Sequence, residues 1–270
     1  MNETARQFSW VGSREHFVDA IDVQRLEHIA VGRYGGNSSA GQYKNEDGCL
    51  VWSDVRKDWE FAVLLDAHNT AESAEQVIEL IERNESRIRT RLESPATQST
   101  FKLLEEEMLR MFQSEDFLAA CRNVTGETAC LIAVRKENYL WWFSVGDCML
   151  YLFHPELAAL GQFQLNQRQF FEWVGQVNTF ERNVPCYSTG VRELRTGENH
   201  ILLTTDGLTE CPNDPYSTPM DIADAFRGLT DEEGIQTMLK KIQANGVRDS
   251  TTIVSYKVTN PLEATRPSNA

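Results

Sequence analysis

Apolar residues in this chain have two textures: short continuous runs bounded by turn residues, and a long stretch in which they recur every three, four or seven positions. The runs Cys49-Leu50-Val51-Trp52 and Phe61-Ala62-Val63-Leu64-Leu65, joined by the charged link 54–60, predict a β-hairpin. A strand is expected over 27–33, before the turn-rich link Gly35-Gly36-Asn37-Ser38-Ser39-Ala40-Gly41, whereas residues 1–28 show no clean period. Ala74, Val77, Ile78, Ile81, Ile88 and Leu92 then predict one long amphipathic helix, with Asn69 or Thr70 as N-cap and Ser94-Pro95 as its stop. Phe101, Leu104, Met108, Met111 and Phe112 predict a second. Both stripes read as core-facing surfaces.

Strand texture returns over 128–135, 139–145 and 148–153, with turns at Lys136-Glu137-Asn138 and Gly146-Asp147. Links this short predict antiparallel pairing of consecutive strands. From 154 to 196 the sequence is irregular and Gln-rich, with Phe163, Phe170, Phe171 and Trp173 interspersed, and it reads as a flap or insert over a sheet edge. A strand over 201–205, helices over 221–226 and 234–244, and a last strand over 251–258 follow; 261–270 reads as a tail. Strands and helices grouped in sequence predict one layered α+β domain over 1–260 in place of alternating βαβ units. Neither glycine loop, G-x-G-x-x-G or G-x-x-x-x-G-K-[ST], occurs, so Rossmann and P-loop phosphate cradles are unsupported.

Composition narrows the partners. With 26 Lys and Arg against 40 Asp and Glu, a net charge of −14, the 270 residues offer no broad basic surface for nucleic acid or anionic lipid. The longest apolar run, 129–134, is too short to span a bilayer. Six cysteines without a C-x-x-C pair read as small buried thiols, and with no secretory leader this implies the cytoplasm.

Glu46, Asp47, Asp66, Asp206 and Asp249 carry the chemistry. Asp66 and Asp206 end apolar runs and Asp249 precedes one, so folding can bring them to one sheet edge. Carboxylates about 5 Å apart repel by roughly 3 kcal/mol per pair at an effective dielectric of about 20, a repulsion that cations would offset. Hard oxygen donors suit Mg²⁺ or Mn²⁺. Any one of these acids alone reads more readily as an ordinary strand-end or turn residue, and only the set favours a metal site.

The blocks Asn45-Glu46-Asp47, Leu65-Asp66-Ala67-His68, Gly126-Glu127-Thr128-Ala129, Val145-Gly146-Asp147-Cys148, Thr205-Asp206-Gly207-Leu208 and Arg248-Asp249-Ser250-Thr251-Thr252 resemble, in order and spacing, those of the PP2C (PPM) family of metal-dependent serine/threonine phosphatases. The resemblance implies a four-layer α-β-β-α sandwich of two antiparallel sheets flanked by helices. It implies two Mn²⁺ or Mg²⁺ ions held by Glu46, Asp66, the Ala67 carbonyl, Asp206 and Asp249, with Asp47 behind the ligands. Asp147 matches a position that can hold a weaker third ion with Asp206, and equally reads as a turn aspartate after Gly146. A metal-bridged water would hydrolyse phosphoserine or phosphothreonine of a phosphorylated protein, with His68 protonating the leaving oxygen.

Three departures stand out. Ala67 replaces a usual Gly, Ser250 a usual Asn, and Gln42 an Arg that grips the substrate phosphate. Losing that charge-assisted bond costs roughly 1.5–3 kcal/mol unless Lys44 or another cation substitutes. Two alternatives therefore stand beside a protein phosphatase: a catalytically weak or silent interaction module, and a phosphatase of a small phosphorylated metabolite.

Overall fold

Strands buried on both faces read as unbroken apolar runs. The computed structural model, which describes residues 6–266 and 268, places these runs inside two antiparallel sheets. The larger sheet runs β1 (Arg6–Val11), β4 (Gly48–Asp54), β5 (Trp59–His68), β6 (Glu127–Lys136), β7 (Tyr139–Val145) and β10 (Ser188–Glu193), with the two-residue β9 (Val174–Gly175) also paired to β6. The smaller runs β2 (Ile21–Leu26), β3 (Ile29–Tyr34), β12 (Thr251–Asn260), β11 (Gly197–Thr204) and β8 (Met149–Phe153).

The two-residue period of each strand sorts its side chains between layers. In β4, Cys49 and Val51 join Leu64, Leu131, Ile201, Leu203 and Val254 between the sheets, while Leu50 and Trp52 face outward. That outer face is covered by α1 (Glu72–Arg83), α2 (Glu85–Leu92), α3 (Gln98–Phe112) and α4 (Glu115–Cys121), through Val77, Ile81, Ile88, Leu104 and Phe112. The short α5 (Pro155–Ala158) follows β8. Beyond it, α6 (Pro219–Asp224) and α7 (Asp231–Ala244) pack Ile222, Ile235, Leu239 and Ile242 on the outer face of the smaller sheet. The four layers are α-β-β-α, as the resemblance implies.

The structure corrects several local expectations. The long helix is two, because the Asn84 side-chain amide donates to the Leu80 carbonyl at 2.8 Å and competes with the backbone ladder at the break. β1 and β2 escape a periodicity reading because each is an edge strand of mixed exposure with no alternation of buried and exposed positions. The β7–β8 link is not a hairpin. β7 pairs with β6 and β10, whereas β8 pairs with β11, so Gly146-Asp147 carries the chain from one sheet to the other. All six cysteines are free thiols and five are buried.

Candidate metal centre

Strand ends from both sheets meet at one end of the sandwich. Asp66 lies near the end of β5, opposite Ala129 of β6, where the even-numbered side chains face the other sheet. Asp206 follows β11 and opens a single 3₁₀ turn, Asp206–Leu208. That turn needs Gly207, since a Cβ there would lie 2.2 Å from the Ser250 carbonyl oxygen at the start of β12. Asp147 sits on the crossing between sheets. Gly146 before it has φ 86° and its missing Cβ would fall 2.5 Å from that of Ala129, so both conformation and close approach require glycine.

One carboxylate oxygen each of Asp66, Asp147 and Asp206 lies within 4.8 Å of the others. Asp66 is 3% exposed and Asp206 8%. Asp66 Oδ2 and Asp206 Oδ1 are buried and accept no hydrogen bond from the described residues. Asp47 lies behind them, almost fully buried. Its Oδ2 accepts from Thr252 Oγ1 at 2.7 Å and Thr205 Oγ1 at 3.3 Å, which ties the entry to β4 to β12 and to the end of β11 in the other sheet; its Oδ1 has no partner among the described residues.

Burial raises the carboxyls of Asp47 and Asp66 well above the usual range, and the neighbouring carboxylates add to the effect. Asp206 is pushed up to about 7, first by burial and then by Asp249, Glu210 and Asp147. Asp249 is raised by the protein packed around its carboxylate and partly relieved by the Ser250 N–H at 2.9 Å. Its residue keeps an open face, so water screens it as it cannot screen the other three. Buried oxygens without partners, all of them hard donors, fit divalent cations.

The remaining sequence-derived candidates form the rim. Glu46 and Asp249 lie outside the 4.8 Å trio. Lys44 Nζ meets Glu46 Oε1 at 2.6 Å and also donates to the Asn69 carbonyl, so the Glu46 charge is matched within the chain. Ala67 is buried in β5 with an ordinary strand φ; the left-handed residue of this loop is Asn69, φ 75°. His68 is exposed at the end of β5, near enough for its charge to act on Asp249. Gln42 is buried and its Oε1 accepts from the Tyr43 N–H at 3.2 Å.

Sequence reasoning passed over Arg168 and Glu210. Arg168 Nη2 lies 2.7 Å from Glu210 Oε1, 3.5 Å from Asp147 Oδ2 and 3.8 Å from Asp206 Oδ2. Neither belongs to a periodic segment, so no pattern marked them. A second constellation invites confusion. His200 Nε2 is 2.7 Å from Ser255 Oγ and 3.3 Å from Asp231 Oδ1. One ring nitrogen thus faces both partners, where a nucleophilic triad needs them on opposite nitrogens. This trio is a structural pin between α7 and the smaller sheet.

No protein-family model matches the chain, and no curated protein sequence does. Solved structures do. A bacterial serine phosphatase superposes with a TM-score of 0.57 at 16% identity, covering 97% of this chain and 99% of that one. The fold is PP2C-like. The PPM Ser-Thr phosphatase MsPP of Mycobacterium smegmatis, in complex with cacodylate, gives 0.51 at 12% identity over 94% of this chain and 97% of that one. The catalytic domain of the serine/threonine phosphatase PstP, in complex with two manganese ions, gives 0.53 at 16% identity over 94% and 98%. At such identities the PP2C-like fold is what the likeness establishes.

Proposed function

We propose that this chain is a divalent-metal-dependent phosphatase that hydrolyses phosphoserine and phosphothreonine in cytoplasmic proteins. The observation that supports the reading is the meeting of Asp66 and Asp206, with Asp147 beside them, within 4.8 Å, Asp66 Oδ2 and Asp206 Oδ1 being buried with no hydrogen-bond partner among the described residues. Asp66, Asp206 and Asp249 would hold one ion, and Asp66, Glu46 and the Ala67 carbonyl the other. Mn²⁺ or Mg²⁺ bound there would activate a water for in-line attack and offset charge on the phosphoryl oxygens.

The chain's own residues supply the rest. Asp47, clamped by Thr205 and Thr252, fixes the strand ends that carry the ligands. His68, at the exposed lip beside Asp249, would give its proton to the departing serine or threonine oxygen. Residues 6–260 act as a single domain, and within 154–196 the stretch before β10, which reaches the rim at Arg168, serves as a substrate-facing flap, while β10 itself belongs to the larger sheet. Among the described residues no helix is long and apolar enough to cross a membrane.

Gln42 favours one second reading, a metal-binding module with little turnover, because its amide is occupied by its own loop and leaves no guanidinium for the phosphate. Hydrolysis of a phosphothreonine peptide separates the two. Turnover that needs Mn²⁺, stops in EDTA and falls roughly a hundred- to a thousandfold in Asp206→Asn supports the phosphatase. Mn²⁺ binding without turnover of that peptide or of p-nitrophenyl phosphate supports the silent module and overturns it.

A further inference from the structure

Arg168 is held too firmly for a loop arginine. Two residues before it, the buried Asn166 accepts from the Leu150 N–H at 2.8 Å and donates to the Cys148 carbonyl at 2.7 Å and to Ser144 Oγ at 3.0 Å. One residue after it, the Gln169 N–H donates to the Gly146 carbonyl at 2.8 Å. The backbone on both sides is therefore fastened to the crossing that bears Asp147. The side chain itself is 22% exposed and lies over the Phe170 ring at 4.8 Å. From there a single guanidinium nitrogen faces Asp147, Asp206 and Glu210 together.

A cation bridging Asp147 and Asp206 would need to sit about 2.0–2.6 Å from their oxygens. Nη2 lies 3.5 Å from Asp147 Oδ2 and 3.8 Å from Asp206 Oδ2, so an ion bound between those oxygens would sit within about 6 Å of the guanidinium and be strongly repelled by it. We infer that Arg168 is a built-in cation that occupies the Asp147–Asp206 position in place of a third divalent ion, so that the centre takes two ions. The inference rests on reading Asp66 and Asp206 as metal ligands. Its physical consequence is that one positive charge at the rim is permanent and independent of metal supply.

The test counts Mn²⁺ bound to the full chain near neutral pH, by calorimetry and by the electron spin resonance of free Mn²⁺. Wild type is expected to bind two ions, Arg168→Gln three with the added one weaker, and Arg168→Lys two. Three ions in wild type, or two in an Arg168→Gln protein with native near-ultraviolet circular dichroism, overturns the inference while leaving the metal centre intact. No Mn²⁺ bound by wild type overturns the metal-centre reading itself, and the inference with it. Should Arg168→Gln fail to fold, Asp147→Asn decides: a count that stays at two supports Arg168 as the partner of Asp147, and a count that drops by one shows an ion there instead.

Discussion

Glu60 and Asp66 occupy the same strand and point to the same inter-sheet face, six residues or about 20 Å apart. The fold treats them in opposite ways. Glu60 is fully buried, gripped by the Arg135 guanidinium through both carboxylate oxygens and approached by His28 Nε2 at 3.1 Å. Arg135 also binds Asp58. Asp66 is almost as buried, yet it meets other carboxylates and one of its oxygens has no partner. A buried charge matched within the chain closes a structure, whereas a buried set matched only in part, here by Arg168 at its edge, needs a further cation from outside. The difference between the two ends of one strand is the physical basis for reading the Asp66 end as functional.

The comparison can be broken at either end. At the open end, Asp66→Asn should remove Mn²⁺-dependent phosphopeptide hydrolysis, by roughly a thousandfold or more in kcat/KM, since it deletes the proposed bridging ligand. A variant within a few fold of wild type would contradict the assignment. At the closed end, Glu60→Ala leaves Arg135 with its principal partner gone in a buried site, and urea unfolding should show a loss of roughly 3–5 kcal/mol. A loss under about 1 kcal/mol would mean that the two ends are less different than their geometry implies.

Protonation sharpens the contrast. The Asp206 carboxyl is raised by burial to about 7 in the folded protein, so between about pH 4 and 7 the folded state keeps a proton that the unfolded chain has lost. Stability of the metal-free protein must then fall as pH rises through that window, and Asp47 and Asp66, raised by the same causes, extend the trend. Asp206→Asn should flatten this slope and raise metal-free stability at pH 8 by on the order of 3 kcal/mol, the opposite sign to Glu60→Ala. Saturating Mn²⁺ should abolish the advantage. Thermal melts in EDTA across pH 4–8 check both. The smallest expected effect is at the lip: His68→Ala should slow a phosphothreonine peptide by roughly a hundredfold and spare p-nitrophenyl phosphate, whose leaving group needs no proton. Equal loss on both substrates would assign His68 to binding.

How much of this was legible from sequence follows from range of interaction. Strand interiors such as 61–65 and 201–205 declare themselves because both faces are buried, and the acids at their ends inherit positions from that pattern. The order of the layers follows from grouping of strands and helices. Edge strands β1 and β2 carry mixed, half-exposed faces and declare nothing. The Gly146-Asp147 link resembles a hairpin turn locally; that it changes sheets depends on β8 finding β11, some fifty residues on. Arg168 and Glu210 reach the centre from irregular segments and meet across 42 residues, a juxtaposition no local period encodes.

The central claim is that the unmatched acids at this end of the sandwich hold divalent cations. Anomalous diffraction at the manganese edge from crystals grown with Mn²⁺ tests it directly. The account predicts two peaks, each bordered by a carboxylate oxygen of Asp66, with Asp206 beside one of them. Manganese absent from this end, or bound while Asp66 and Asp206 point elsewhere, would contradict it.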